Sequence, residues 1–130
     1  MKNKILIVDD EPALLSALVD KFTRKGFNVE TAENGKTGLK TALKTKPNLI
    51  LLDIIMPVMD GISMLYKLRD NAWGKKVKVI LLTNLSDPET AKSKSFTKKI
   101  DGYLVKSNCK INEIVRQVNK NLKGGICRES

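Results

Sequence analysis

Five short apolar runs, separated by longer amphipathic stretches, limit what this chain can become. They are Ile5–Val8, a weaker one at Asn28–Ala32, Leu49–Leu52, Val77–Leu82 and Tyr103–Val105. Continuous runs of this length, rich in Ile, Val and Leu, suit strands buried on both faces of a parallel sheet. Between them, Ala13–Lys25 sets Leu14, Leu15, Leu18, Val19 and Phe22 on one helical face, and Ile111, Ile114, Val115, Val118 and Leu122 do the same near the C-terminus. Thr37–Leu43 and Ile62–Leu68 are shorter helical stretches, and a helix opens at Asp87-Pro88, where Asp87 suits an N-cap. Thr90–Lys99 carries only Ala91 and Phe96 as apolar residues, so that helix has little to dock with. Strict alternation of five strands and five helices predicts a doubly wound α/β domain with a parallel sheet. Pro12 suits the first turn of a helix, and Asn34-Gly35 and Asp60-Gly61 are expected turns.

At 130 residues the chain fits one domain over residues 1–123, with a short tail at 124–130 and no room for a separate output module. No apolar run reaches the roughly 18 residues of a membrane helix, and Asp9 and Asp10 interrupt the one candidate signal sequence. Cys109 and Cys127 have no paired spacing and suit a reducing cytoplasm. With no His in the chain, a Cys/His metal site is excluded and a bound metal needs oxygen ligands.

In open α/β sheets, ligands bind beyond the carboxyl ends of the strands. Past the first strand stand Asp9, Asp10 and Glu11; past the third, Asp53; past the fourth, Thr83 and Asn84; past the fifth, Lys106. Taken singly, the acidic run reads first as a solvated turn with a helix cap, Thr83 as a strand residue and Lys106 as a solvated cation, while Asp53 reads equally well as a polar strand stop. Together they converge if the first, third, fourth and fifth strands are neighbours. Carboxylates so crowded resist full ionisation, and a hard divalent cation relieves the repulsion. Mg²⁺ commonly takes one or two carboxylates with waters and a phosphate oxygen. Asp10 is then the best direct ligand, Asp9 an outer or second ligand and Asp53 a shared one, with the Ile55 backbone carbonyl a further oxygen. Lys106 supplies a point charge and Thr83 a hydroxyl for a phosphoryl group. Asp53 as nucleophile would form an aspartyl phosphate.

These residues sit in segments with a family look: ILIVDDEP, LLDIIMPVMDG, LLTN and DGYLVK. From about Lys4 to Leu122 the chain resembles a response-regulator receiver domain, the phosphoaccepting partner of histidine kinases in two-component signalling. The resemblance implies a flavodoxin-like sheet in order 2-1-3-4-5 and Mg²⁺-dependent phosphorylation of Asp53. It places Asp9 and Asp10 at the metal, Thr83 and Lys106 at the phosphoryl group, and Tyr103 at an aromatic switch position that responds to Thr83. Without the resemblance, Tyr103 reads as a half-buried core residue. Partners implied are a histidine kinase or phosphotransfer protein upstream, and a separate downstream protein at the face of the fourth helix, fifth strand and fifth helix. The chain departs from the pattern at Asn84, where Ala or Gly is usual, and at Ser107, where Pro is common and a trans bond is now expected. Lys99-Ile100 replaces a Gly-Ala pair, and Ile55 and Leu85 put apolar residues at two variable positions beside the phosphoryl site.

Three rival functions are weaker. A pure binding module leaves the acidic and Thr/Lys set without a use. An aspartyl-phosphate hydrolase typically carries an acid two residues after its nucleophile, and here that residue is Ile55. A nucleotide or flavin domain needs a Gly-rich loop after the first strand, which is missing. The formal charge of +10 raises the question of nucleic acid, but its distribution matters more: residues 75–110 hold nine basic and three acidic groups. With lysine dominant and 5% aromatic content, the surface lacks the bidentate and stacking groups of sequence-specific readers. A solvated surface is the first reading of the excess, an acidic protein partner the second and nonspecific DNA the third.

Overall fold

The computed structural model describes residues 3–83 and 99–123, without the side chains of Thr83 and Asn108. Within them the order is β1 (Lys4–Val8), α1 (Pro12–Arg24), β2 (Asn28–Ala32), α2 (Gly35–Thr45), β3 (Leu49–Asp53), α3 (Gly61–Arg69), β4 (Lys78–Thr83), β5 (Gly102–Val105), a 3₁₀ turn at Lys106–Asn108, and α4 (Ile111–Leu122). α4 is the fifth helix of the sequence-based count. The helix expected after Asp87 lies outside the described residues, as do Asn84, Leu85 and the tail at 124–130.

All five strands are parallel, in the order β2-β1-β3-β4-β5. The apolar runs alternate between two cores. Leu6, Val8, Ile50, Leu52, Val79 and Leu81 pack with α2 and α3 residues such as Met64 and Leu68. On the opposite face Ile5, Ile7, Leu49, Leu51, Ile80 and Leu82 pack with Leu18 and Phe22 of α1 and Ile114 and Val118 of α4. Covering both faces is what lets β1 and β3 run apolar without interruption. β2 departs from the expected two-sided burial because it is an edge strand, and only Ala32 in it is buried.

Helix boundaries follow from local chemistry. Pro12 occupies the first turn of α1 and Glu11 before it is extended. α1 stops at Gly26 (φ +94°), where Phe27 N donates to Phe22 O at 3.1 Å and Gly26 N to Thr23 O at 3.0 Å, a left-handed closure that glycine adopts without strain. The expected turns at Asn34-Gly35 and Asp60-Gly61 are instead helix starts. Asn34 Oδ1 accepts from Thr37 N at 2.9 Å and Asp60 Oδ1 from Ser63 N at 2.7 Å, so α2 and α3 begin earlier than apolar spacing suggests. Gly61 is required for packing, since a β-carbon there would collide with the Asp53 carbonyl oxygen. The start of α3 therefore rests directly on the strand end that carries Asp53. No helix among the described residues is long and apolar enough to cross a membrane.

Candidate functional site

The parallel sheet sends the ends of β1, β3 and β5 to one edge. Asp9 and Asp10 follow β1, Asp53 is the last residue of β3, and Lys106 follows β5. One carboxylate oxygen from each of Asp9, Asp10 and Asp53 lies within 4.8 Å of the others. Asp9 is fully buried, Asp53 is 5% exposed, and Asp10 faces solvent. Asp9 is held by its Oδ1, which accepts from Glu11 N at 2.9 Å, and Asp53 by its Oδ1, which accepts from Ile54 N at 2.9 Å. In each case the backbone amide just beyond the strand orients the carboxylate and leaves Oδ2 facing the cluster's cation.

That cation is Lys106. Its ammonium lies 2.8 Å from Asp9 Oδ2, 3.2 Å from Glu11 Oε1 and 3.5 Å from Asp53 Oδ2. Burial opposes the ammonium, but Asp9, Asp53 and Glu11 outweigh it and hold Lys106 above the ordinary lysine range. One cation does not balance the cluster. Burial first, and then the neighbouring Asp9 charge, push Asp53 up to about 6, while Lys106 and the Ile54 amide pull the other way.

The donor set fits a hard divalent cation. All the donors are carboxylate oxygens, and Asp9 Oδ2 is a buried atom whose close contact is the Lys106 ammonium at 2.8 Å. Soft or imidazole-preferring metals have no ligand here, since no Cys or His joins the group among the described residues.

The other expected residues fall around this centre. Ile55 stands two residues beyond Asp53 and is 61% exposed. Tyr103 is half-buried in β5, opposite Leu81 in register, and packs against the core on the α2–α3 face. Thr83 ends β4, the strand between β3 and β5; its side chain lies outside the described residues. Ser107 is exposed in the 3₁₀ turn, and the Lys106–Ser107 bond is trans. Lys99 Nζ lies 5.1 Å from the Tyr66 ring centroid, and Ile100 packs against the α2–α3 core. Sequence reasoning missed two arrangements. Glu11 shares the Lys106 ammonium, which its place next to Asp10 hints at. Arg69 ties the end of α3 to the approach to β5, for which its sequence carries no signal.

The family model of the response regulator receiver domain matches residues 5–119. The chain belongs to that family. Among its relatives, the alkaline phosphatase synthesis transcriptional regulatory protein PhoP of Bacillus subtilis is 34% identical over 123 residues, which cover 90% of this receiver and 50% of PhoP. The transcriptional regulatory protein SrrA of Staphylococcus aureus is 37% identical over 106 residues, covering 82% of this receiver and 42% of SrrA. The receiver thus spans half or less of these curated relatives. Among solved structures, the chemotaxis response regulator CheY4 of Vibrio cholerae superposes with a TM-score of 0.83 at 27% identity, covering 92% of this receiver and 98% of that chain. The response regulator TrrA of Thermotoga maritima, solved in complex with Mg²⁺-BeF, gives a TM-score of 0.78 at 35% identity, with 92% and 98% covered. The receiver is thus a signalling domain of a two-component system.

Proposed function

We propose that this receiver, over residues 1–123, takes a phosphoryl group on Asp53 from a phosphohistidine of a histidine kinase or phosphotransfer protein. The observation that carries the reading is the position of Asp53: buried at a strand end, sharing a cluster with Asp9 and Asp10, with Lys106 Nζ 3.5 Å from its Oδ2. A carboxylate oxygen of Asp53 attacks phosphorus, the phosphorus–nitrogen bond of the donor breaks, and the donor imidazole leaves with that electron pair and takes up a proton. Asp9, Asp10, Asp53 and the Ile55 carbonyl would hold Mg²⁺, which when bound offsets charge on the transferring group.

The chain's own residues then set the switch. Lys106 divides its charge among Asp9, Glu11 and Asp53, and a phosphoryl group on Asp53 offers it a stronger partner. The Thr83 hydroxyl donates to a phosphoryl oxygen, and the half-buried Tyr103 ring follows the space that Thr83 vacates. The equilibrium shifts only by the difference in affinity of these groups for the two conformations. Output leaves through the basic face that includes β5 and α4, toward a separate protein in the cytoplasm. Ile55 and Leu85, both apolar, make the aspartyl phosphate slow to hydrolyse, so the domain acts as a phosphoacceptor rather than a turnover enzyme.

The test is incubation with acetyl phosphate and Mg²⁺, read on a phosphate-affinity gel. The wild type is expected to shift and Asp53→Asn not to. A shift of both would place the phosphoryl group elsewhere, and a shift of neither would leave a pure binding module.

A further inference from the structure

At the opposite end of the sheet from Asp53, two shallow grooves of about 410 and 330 Å³ share Arg69 and Lys99 and so form one trough. Val77 and Asp101, which line it, immediately precede β4 and β5. A strand of this length spans about 17–20 Å, which separates the trough from the acidic cluster. Not all of its charges are available. The Arg69 guanidinium donates to the carbonyls of Lys99, Gly74 and Val77, and it pairs with Asp101, whose Oδ2 also accepts from Val79 N. These two form a neutral, structural floor. What remains toward solvent is Lys67, Lys75, Lys76 and Lys99 against the single carboxylate of Asp70. Neither Lys67, Lys75 nor Lys76 has an ion-pair partner among the described residues, while Lys99 lies over the ring of Tyr66, a residue 40% exposed.

We propose that this trough is a docking site for an acidic polypeptide segment, separate from the phosphorylation site. Charge complementarity argues for an anionic occupant, and the chemistry of the cations argues for a peptide over a nucleic acid. The available groups are lysines, point charges that suit flexible carboxylate side chains. The one guanidinium is committed to backbone carbonyls, so no bidentate fork is presented to phosphate or base edges. Among the described residues lining the trough, the one aromatic residue, Tyr66, has Lys99 over its ring, which leaves no bare platform for base stacking. Asp70 interrupts the basic track, as a continuous phosphate backbone would disfavour.

The experiment titrates the full chain against a fluorescein-labelled poly-glutamate peptide and, separately, a labelled DNA duplex, at low and at physiological salt. The peptide is expected to bind in a salt-sensitive way, and Lys75→Glu/Lys76→Glu to weaken it about tenfold or more. Lys36→Glu/Lys40→Glu, two exposed charges on α2, is the control and is expected to change binding little. Phosphorylation by acetyl phosphate is expected to persist in both variants, which keeps this result distinguishable from failure of the phosphoacceptor reading. Absence of peptide binding overturns the proposal, as does equal loss in both double variants. Tighter binding of DNA that depends on Lys75 and Lys76 would make the trough a nucleic-acid surface instead.

Discussion

Lys106 Nζ lies 2.8 Å from Asp9 Oδ2, and neither side chain is more than 8% exposed. The contact joins the end of β1 to the end of β5 across two intervening strands. It therefore closes the site as well as balancing it. Truncating one partner of a buried pair leaves the other charge uncompensated, which costs about 3–5 kcal/mol. Lys106→Met is expected to destabilise the metal-free protein by about 3 kcal/mol at pH 7, read from urea unfolding in chelator. Mg²⁺ replaces part of the lost positive charge, so the loss is expected to shrink when the ion is added. An equal loss with and without Mg²⁺ would show that Lys106 acts through packing alone.

Asp53 predicts the opposite sign. Its pKa in the folded protein, about 6, lies above the ordinary 3.8, because burial and Asp9 disfavour its charge. The fold thus favours the protonated form. The favourable contribution is full below pH 3.8 and is lost as pH rises through 6. Asp53→Asn keeps an oxygen for the Ile54 amide and removes the charge. In chelator it is expected to match the wild type near pH 4 and to exceed it by about 2–3 kcal/mol above pH 7. Urea midpoints measured across that range check this. A variant less stable than the wild type at pH 7.5 in chelator would count against the crowding argument.

Ile55 is expected to affect a rate rather than a stability. The residue is largely exposed two positions beyond Asp53, and its apolar side chain offers an approaching water no hydrogen-bond partner. An amide at that position can hold and orient such a water. Ile55→Asn is expected to speed loss of the phosphoryl group severalfold, followed by the decay of the shifted band after donor removal. Unchanged or slower decay would mean that water reaches phosphorus by another route.

Much of this arrangement was legible because parallel sheets write themselves as apolar runs, and because polar residues placed just past those runs are forced to one edge. Asp9, Asp53 and Lys106 were singled out on that ground before any family likeness, on the condition that the first, third, fourth and fifth strands are neighbours. The order of the strands was not, since nothing in a run such as Leu49–Leu52 says which neighbours it pairs with; the family pattern supplied that. Helix starts were misread at Gly35 and Gly61 because Asn-Gly and Asp-Gly look alike in a turn and in a cap. The difference is whether the third residue's amide points back at the side-chain oxygen, as Thr37 and Ser63 do. Glu11 was grouped with the acidic turn, yet its distinctive role depends on where Lys106 reaches, a property of tertiary structure.

Arg69 is the clearest case of a role without a sequence signal, because its partners are mostly backbone carbonyls. Its side chain is 11% exposed, and Nε donates to Lys99 O and Nη1 to Gly74 O, both at 2.8 Å, with Val77 O a third acceptor. Asp101 Oδ2 completes the set at 3.4 Å while accepting from Val79 N at 2.8 Å. One guanidinium thus fixes the last turn of α3, the loop into β4 and the segment leading into β5, two residues before Tyr103. A lysine carries the charge but cannot direct donors to three carbonyls at once. Arg69→Lys is expected to cost about 2 kcal/mol and Arg69→Ala about 3 kcal/mol, from buried carbonyls left without donors. Urea unfolding measures the totals, and faster amide exchange at Val79 and Asp101 would locate the damage at this junction. If Arg69→Lys matches the wild type in both readouts, charge rather than the fork holds the junction together.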